Sequence, residues 1–315
     1  VRKDSARTVE LLLVLVVCIW GTNFILMKGV FGEISPLAFN AVRMTIAALA
    51  LGLLWAWRER GRLGMPARDW LRLWMLGLLG NGLYQMLFVI GLDLTTSGVS
   101  ALLISTIPLW TALLAVLLRL ERITAKTWLG IVIAFAGIVL VTLGTPARDH
   151  NHQMLAKDPL LGNALTLLAA LCWAGYTVLQ KSVLERYSPL RISALGLLLG
   201  GPALWAFAFW EVRQQDWGTV SWEAWGIIFY AGLISIALAY LIWSWGVQRL
   251  GSARTAIFNN LVPVLTFALA FFFLGEPLTL LQIAGGAVVL LGVSQTILAP
   301  PNPREAGRGR PACLP

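Results

Sequence analysis

Residues 97–121 read SGVSALLISTIPLWTALLAVLLRLE, and residues 252–276 read SARTAIFNNLVPVLTFALAFFFLGE. Laid over each other at an offset of 155, Ser97 meets Ser252, Pro108 meets Pro263, Thr111 meets Thr266 and Glu121 meets Glu276. The same register continues outward. Trp70 meets Trp225, Gly77 meets Gly232, Gly91 meets Gly246, Gly130 meets Gly285 and Gly137 meets Gly292. Nearer the N-terminus the offset becomes 153, where Trp20 meets Trp173 and Ser35-Pro36-Leu37 meets Ser188-Pro189-Leu190. Ordered matches at Pro, Trp and Glu mark a duplicated unit.

Composition says where that unit lives. Of 315 residues, 58% are hydrophobic and 12% charged, against about 25% charged in an ordinary soluble domain. Mean hydropathy is +0.77. So little charge excludes a soluble two-domain enzyme, and so much apolar character excludes disorder for the bulk of the chain. A transmembrane barrel would show strands of about ten residues with alternating polarity. The apolar runs here are continuous and longer, so the fold class is an all-α polytopic membrane protein. Ten segments are long enough to span a bilayer: about 8–29, 36–57, 70–91, 95–118, 127–143, 160–180, 190–211, 223–246, 251–274 and 278–299. Arg2, Lys3 and Arg7 before the first segment resemble a signal peptide, but its length and the lack of a cleavage motif make it a first span. Residues 58–68 form a basic loop, 145–159 a polar centre, Glu276-Pro277 a tight turn, and 300–315 a tail expected to be disordered. The units are therefore 1–149 and 150–299.

The net charge of +9 does not call for nucleic acid. With Lys and Arg counted on alternating sides of ten spans, 19 fall on one side and 4 on the other, Arg43 lying inside the second span. The positive-inside rule then places both termini in the cytoplasm of an inner-membrane protein. Five spans per unit is an odd number, so the two units insert with opposite orientation. Inverted repeats of this kind frame secondary transporters, whose substrate sits near the midplane between the halves. Cys18, Cys172 and Cys313 provide no disulfide framework, and the first two read as small buried packing residues.

Polar side chains inside the spans mark candidate site residues. Trp20, Asn23, Phe24 and Met27 share one helical face, as do Trp173, Tyr176, Thr177 and Gln180, and again Asn81, Tyr84, Gln85 and Phe88. Amides facing lipid would be unsatisfied, so these faces point inward, toward an aromatic-lined cavity or as interhelical hydrogen-bond glue. Tyr240 and Trp243 in the eighth span join the set. Pro108 and Pro263 would each remove a backbone donor and free the carbonyl four residues earlier, at Ile104 and Asn259, beside Ser105, Thr106 and Asn260. Such breaks bend helices for gating or offer acceptors to substrate. Arg43 could meet a substrate carboxylate or hold a helix end. Lys28 reads as snorkelling to the surface, and Trp55 and Trp128 as interface residues. His150 and His152 fall in the central loop, and no metal site or cofactor is expected. No HExxH, GxSxG or P-loop occurs, so the chain is not read as an enzyme. No Asp or Glu lies near a span centre, which leaves proton coupling without an embedded relay.

Trp20-Gly21-Thr22-Asn23-Phe24, Arg43, the helices of Pro108 and Pro263 and the Gly275-Glu276-Pro277 turn resemble the drug/metabolite transporter superfamily, in particular its ten-span EamA-type exporters. The second half carries Cys172-Trp173-Ala174-Gly175 where the first has its Trp-Gly motif. Within the family the chain is most similar to the YddG type, which exports aromatic amino acids. The resemblance implies a basket-like bundle around a central cavity. The expected function is export of amphipathic small molecules, with aromatic and other hydrophobic amino acids foremost, by alternating access and facilitated diffusion. The alternatives are a proton-coupled exporter of drugs or other metabolites, or, in another class, a membrane enzyme or a non-transporting assembly subunit. Expected partners are a small-molecule substrate and the lipid bilayer, and the sequence is compatible with a monomer.

Overall fold

The computed structural model describes residues 3–61, 64–117, 125–144, 156–250, 255–276 and 278–298. His150, His152, Glu121, Ser252, Pro277, Cys313 and the tail 300–315 lie outside the described residues.

All regular structure among the described residues is helical. In order the helices are α1 Lys3–Val30, α2 Pro36–Glu59, α3 Ala67–Leu94, α4 Ser97–Ile104, α5 Ile107–Leu117 and α6 Ala125–Gly144. They continue with α7 Pro159–Leu184, α8 Pro189–Gln214, α9 Trp222–Leu250, α10 Val262–Leu274 and α11 Leu280–Leu298. Seven stretches are long and apolar enough to cross a membrane: Arg7–Val30, α2, α3, Ser97–Leu114, α7, α8 and α9. The apolar helices Trp128–Val141, Phe258–Leu274 and Leu280–Gly292 are shorter. Large apolar side chains such as Leu53, Phe207, Phe272 and Leu291 stand exposed on the outside, which suits lipid and not water.

Local chemistry sets the helix starts. Ser35 and Ser188 each cap the helix that follows, accepting from the N–H of Ala38 and Arg191, with Pro36 and Pro189 opening the first turn. Proline is at home there because that turn needs no N–H partner. The same reasoning corrects the expectation for Pro108 and Pro263. Neither kinks a continuous helix. α4 stops at Ile104, Ser105 and Thr106 turn the chain, and Pro108 is the second residue of α5. Pro263 is likewise the second residue of α10, entered through a 3-10 turn, Ile257–Leu261. The Asn259 carbonyl expected to be free accepts from the Val262 N–H in that turn.

Two helices carry a wider π-helical stretch, Leu78–Leu83 in α3 and Tyr230–Leu238 in α9. Such stretches gather at functional sites because they re-aim side chains. Each sits beside a close glycine contact. A Cβ on Gly77 would come within 2.7 Å of Gly196 O on α8, and one on Gly232 within 2.8 Å of Arg43 O on α2. The main core is shared by α1, α2, α3, α7, α8 and α9. A smaller cluster joins α4, α6 and α11 through Leu102, Ala134 and Val289.

Placement corrects the expectations for Lys28 and for the two cysteines. Lys28 does not snorkel. Its ammonium donates to the carbonyls of Leu92, Asp93 and Thr95, 2.6–2.8 Å away, at the end of α3. Trp55 is buried, whereas Trp128 is half exposed. Cys18 is exposed and Cys172 half-buried, so neither is a fully buried packing residue.

Candidate functional site

Helices α1, α2, α3, α7 and α9, with the α4–α5 and α10 breaks, surround a small cavity of about 40 Å3. In this conformation it has room for a few waters, so a solute enters only as the lining side chains or helices part. Its aromatic wall centres on Trp173. The Trp173 ring lies 6.0 Å from Trp20, 4.7 Å from Tyr84 and 5.0 Å from Tyr240 and from Tyr176. Trp243 stands behind, 5.3 Å from Trp20 and 6.1 Å from Trp173. Tyr84 stacks on Phe88, which meets Phe24 edge-on. Rings locked against one another in this way hold their positions without a substrate.

One side of the wall is polar. Arg43, on α2, is 1% exposed. Its Nε donates to Asn40 Oδ1 at 2.9 Å, Nη2 to Gln85 Oε1 at 2.8 Å and Nη1 to Met27 Sδ at 2.9 Å. Gln85 passes the chain on, its amide donating to the Tyr240 hydroxyl at 2.5 Å. Asn40 closes the loop by donating to Gln85 O. Trp20 Nε1 donates to Ser235 O, a carbonyl of the π-helical stretch of α9. Asn23 donates to Met27 Sδ, while its Oδ1 has no partner. Asn259 Nδ2 is also buried without a partner.

A model of the EamA-like transporter family matches residues 7–143 and again residues 160–298. The chain belongs to the EamA-like transporter family. It is 28% identical over 273 residues to the uncharacterized transporter YyaM of Bacillus subtilis, covering 87% of this chain and 88% of the relative. An uncharacterized transporter of Archaeoglobus fulgidus is 28% identical over 90% of this chain and 96% of its own length. The WAT1-related protein At3g18200 of Arabidopsis thaliana is 27% identical over 92% and 81%. A solved crystal structure superposes with a TM-score of 0.64 at 21% identity, over 94% of this chain and 99% of that one. The family and the apolar helices together make the chain a multi-pass membrane transporter.

In this EamA-like transporter the cavity gathers Trp20, Asn23, Arg43, Tyr84, Gln85, Trp173, Tyr240 and Asn259 from the residues singled out in the sequence. The others stand back from it. Tyr176 and Trp243 pack behind the rings. The hydroxyls of Ser105, Thr106 and Thr177 are spent on the backbone carbonyls of Leu102, Leu103 and Trp173. Asn81 is fully buried in the π-helical stretch, its Cβ facing the α-carbon of Gly200 across the α3–α8 contact. Asn260 is half-buried beside the lining residue Asn259. Phe24, Phe88, Ile104, Ile107, Ser235, Ile236 and Val262 complete the lining. Phe24 and Phe88 shared the faces read from the sequence, but the aliphatic members carry no signal that separates them from lipid-facing neighbours.

At the end of the molecule where α2 stops and α7 gives way to α8, carboxylates tie the two halves of the chain together. Arg186 Nη2 and the Tyr187 hydroxyl donate to Asp69, each at 2.8 Å. Ser188 Oγ and Arg191 Nε donate to Glu59. The bond to Asp69 raises the Tyr187 phenol above its ordinary value. At the other end Ser35 N–H donates to Gln215 Oε1, Gln215 donates to Glu33 O, and Ser221 N–H donates to Glu33 Oε2. The bonds from Ser221 hold the Glu33 carboxyl below its ordinary value.

Proposed function

We propose that the chain carries amphipathic small molecules outward across the inner membrane, aromatic and other hydrophobic amino acids foremost. It does so by alternating access of two inverted five-helix repeats, ten spans in all, with both termini cytoplasmic. The observation that carries this reading is a pair of contacts. Trp20 touches Trp173 and Gln85 touches Tyr240, and each pair consists of matched positions, 153 and 155 residues apart. A residue touches its own repeat mate only where a two-fold axis passes between them, and the cavity contains both pairs. The glycine contacts support the same axis: Gly77 against Gly196 and Gly232 against Arg43 exchange partners under the two offsets. The family model's two matches fit a duplication as well.

Trp20, Trp173, Tyr84 and Tyr240 would hold an aromatic ring, Arg43 and Asn259 the carboxylate, and Asn23 Oδ1 the ammonium. The ties Asp69–Arg186 and Glu59–Arg191 at one end, and Glu33–Ser221 at the other, join the halves and would have to part in turn. No carboxylate is among the residues lining the cavity, which favours facilitated diffusion over proton coupling. The test is counterflow in proteoliposomes holding only this protein. Labelled tryptophan or phenylalanine entering against an internal pool of the same amino acid supports the carrier. Absence of counterflow for every member of a broad metabolite panel overturns it in favour of an enzyme or an assembly subunit.

A further inference from the structure

The cavity is electrically lopsided. Under the 153 offset Arg43 corresponds to Gly196, Asn40 to Ser193 and Met27 to Gln180. One side therefore carries a guanidinium where the other has a bare α-carbon packed against Gly77. Each hydrogen-bond acceptor found for Arg43 is neutral: an amide oxygen on Asn40, another on Gln85, and the Met27 thioether. None of the ion pairs among the described residues involves it. A guanidinium offers five N–H donors, and a thioether is a weak acceptor. Arg43 thus reaches the cavity with donor capacity unspent and no opposite charge paired with it, its guanidinium lying 5.4 Å from the centroid of the Phe39 ring, and a buried cation so placed is costly in a low-dielectric interior. Asn259 Nδ2, 2% exposed and without a partner, adds a donor to the same cavity. Nothing in the lining offers the converse, a negative charge for an ammonium.

Resting on the carrier reading for the cavity's role, we propose that what the site recognises is an aromatic monocarboxylate. The carboxylate pairs with Arg43, the ring lies against Trp20, Trp173 and Tyr240, and the amino group of an amino acid is dispensable. The bound anion supplies the charge that the protein withholds. Arg43 also positions Gln85 and Tyr240, but that scaffold role alone would give no preference for anions.

Two ligands of similar size and opposite charge separate the roles, 3-phenylpropionate and 2-phenylethylamine, with L-phenylalanine between them. Binding is measured by calorimetry on the full chain in nanodiscs of phosphatidylcholine, a net-neutral lipid, at neutral pH. The expected result is 3-phenylpropionate binding about tenfold or more tighter than 2-phenylethylamine, the order set by a charge-assisted pair. L-Phenylalanine binds no tighter than 3-phenylpropionate. Arg43→Gln lowers affinity for 3-phenylpropionate about tenfold without lowering that for 2-phenylethylamine, which loses a like-charge repulsion, and Arg43→Lys restores part of the loss. Failure to bind 3-phenylpropionate, equal or tighter binding of the amine, or full 3-phenylpropionate affinity in Arg43→Gln overturns the proposal. If Arg43→Gln does not yield folded protein, the wild-type ligand series decides alone. Carboxylate-selective binding without flux of any solute sinks the carrier reading and leaves the Arg43 site standing. Flux without preference between anion and cation does the reverse.

Discussion

The junction between α3 and α4, residues 92–98, is held by two charges from elsewhere in the chain, and removing one should cost measurable stability. Lys28 binds three carbonyls at the end of α3. Glu276 accepts from the N–H groups of Ser97 at 2.8 Å and Gly98 at 3.2 Å, in the first turn of α4. A cation at a helix C-terminus and an anion at an N-terminus is the arrangement favoured by peptide dipoles. Glu276 is 7% exposed, so water cannot replace it. In Glu276→Gln the amide oxygen can keep one N–H while its NH2 group faces the other. The loss is one hydrogen bond to a charged group, about 1.5–3 kcal/mol, plus about 0.3–1 kcal/mol of helix-terminus electrostatics. Unfolding by SDS titration in mixed micelles should therefore show Glu276→Gln destabilised by about 2–4 kcal/mol. Lys28→Met should act in the same direction. Stability of Glu276→Gln within about 0.5 kcal/mol of wild type, the usual range for surface substitutions, would refute the clamp.

Other perturbations probe other parts. Trp173→Phe keeps a ring but loses contact area at the centre of the cluster, and an aromatic pair is worth about 0.5–1.5 kcal/mol. Uptake of aromatic amino acid at subsaturating concentration should fall about two- to tenfold, whereas Trp128→Phe, on an exposed surface, should change it little. Gly232→Leu forces a side chain against Arg43 O and should cost about 1–3 kcal/mol or more. Gly226→Leu, with open space at its Cβ position on the same helix, should leave a monodisperse protein in size-exclusion chromatography. Glu33 has a lowered folded-state value through its bonds from Ser221. Its stabilising contribution is present above the ordinary carboxylate value and is lost as pH falls through the folded value. Glu33→Gln should therefore flatten the acid side of a melting-temperature profile without steepening the alkaline side. Finally, an imposed pH gradient should not concentrate substrate in proteoliposomes. Accumulation above the external level, abolished by a protonophore and retained at zero membrane potential, would establish proton coupling.

The helices were legible because their causes are local. Continuous apolar runs set the lengths, and Ser35-Pro36 and Ser188-Pro189 announce two helix starts by capping and by proline in the first turn. What escaped depended on partners distant in sequence or on helix phase. Lys28 is an ordinary end-of-span lysine until α3 brings Leu92, Asp93 and Thr95 to it. Pro108 gives the same signal for a kink and for a new helix, and the difference lies in whether Ser105 and Thr106 stay in register. Ser105, Thr106 and Thr177 carry hydroxyls that could serve a ligand, yet each has a backbone carbonyl three or four residues earlier within reach. Asn81 sits in a π-helical stretch, where the 3.6-residue count that placed it on a face with Tyr84 and Gln85 no longer holds. Ile104, Ile107 and Val262 line the cavity with side chains no different from those that face lipid.

If the chain alternates access as proposed above, the mismatch of Arg43 with Gly196 has a kinetic consequence. A carrier with two chemically identical halves would have inward- and outward-facing forms that are images of each other, equal in energy and equally occupied. A guanidinium on one half alone lifts that degeneracy, because the two forms repack it in different surroundings. On that reading the empty protein would dwell longer facing one compartment than the other. Detailed balance forbids such a bias from driving net movement between equal concentrations. It does allow half-saturation to differ between the two faces, so the protein can respond sharply to solute on one side and sluggishly on the other while spending no energy to do so.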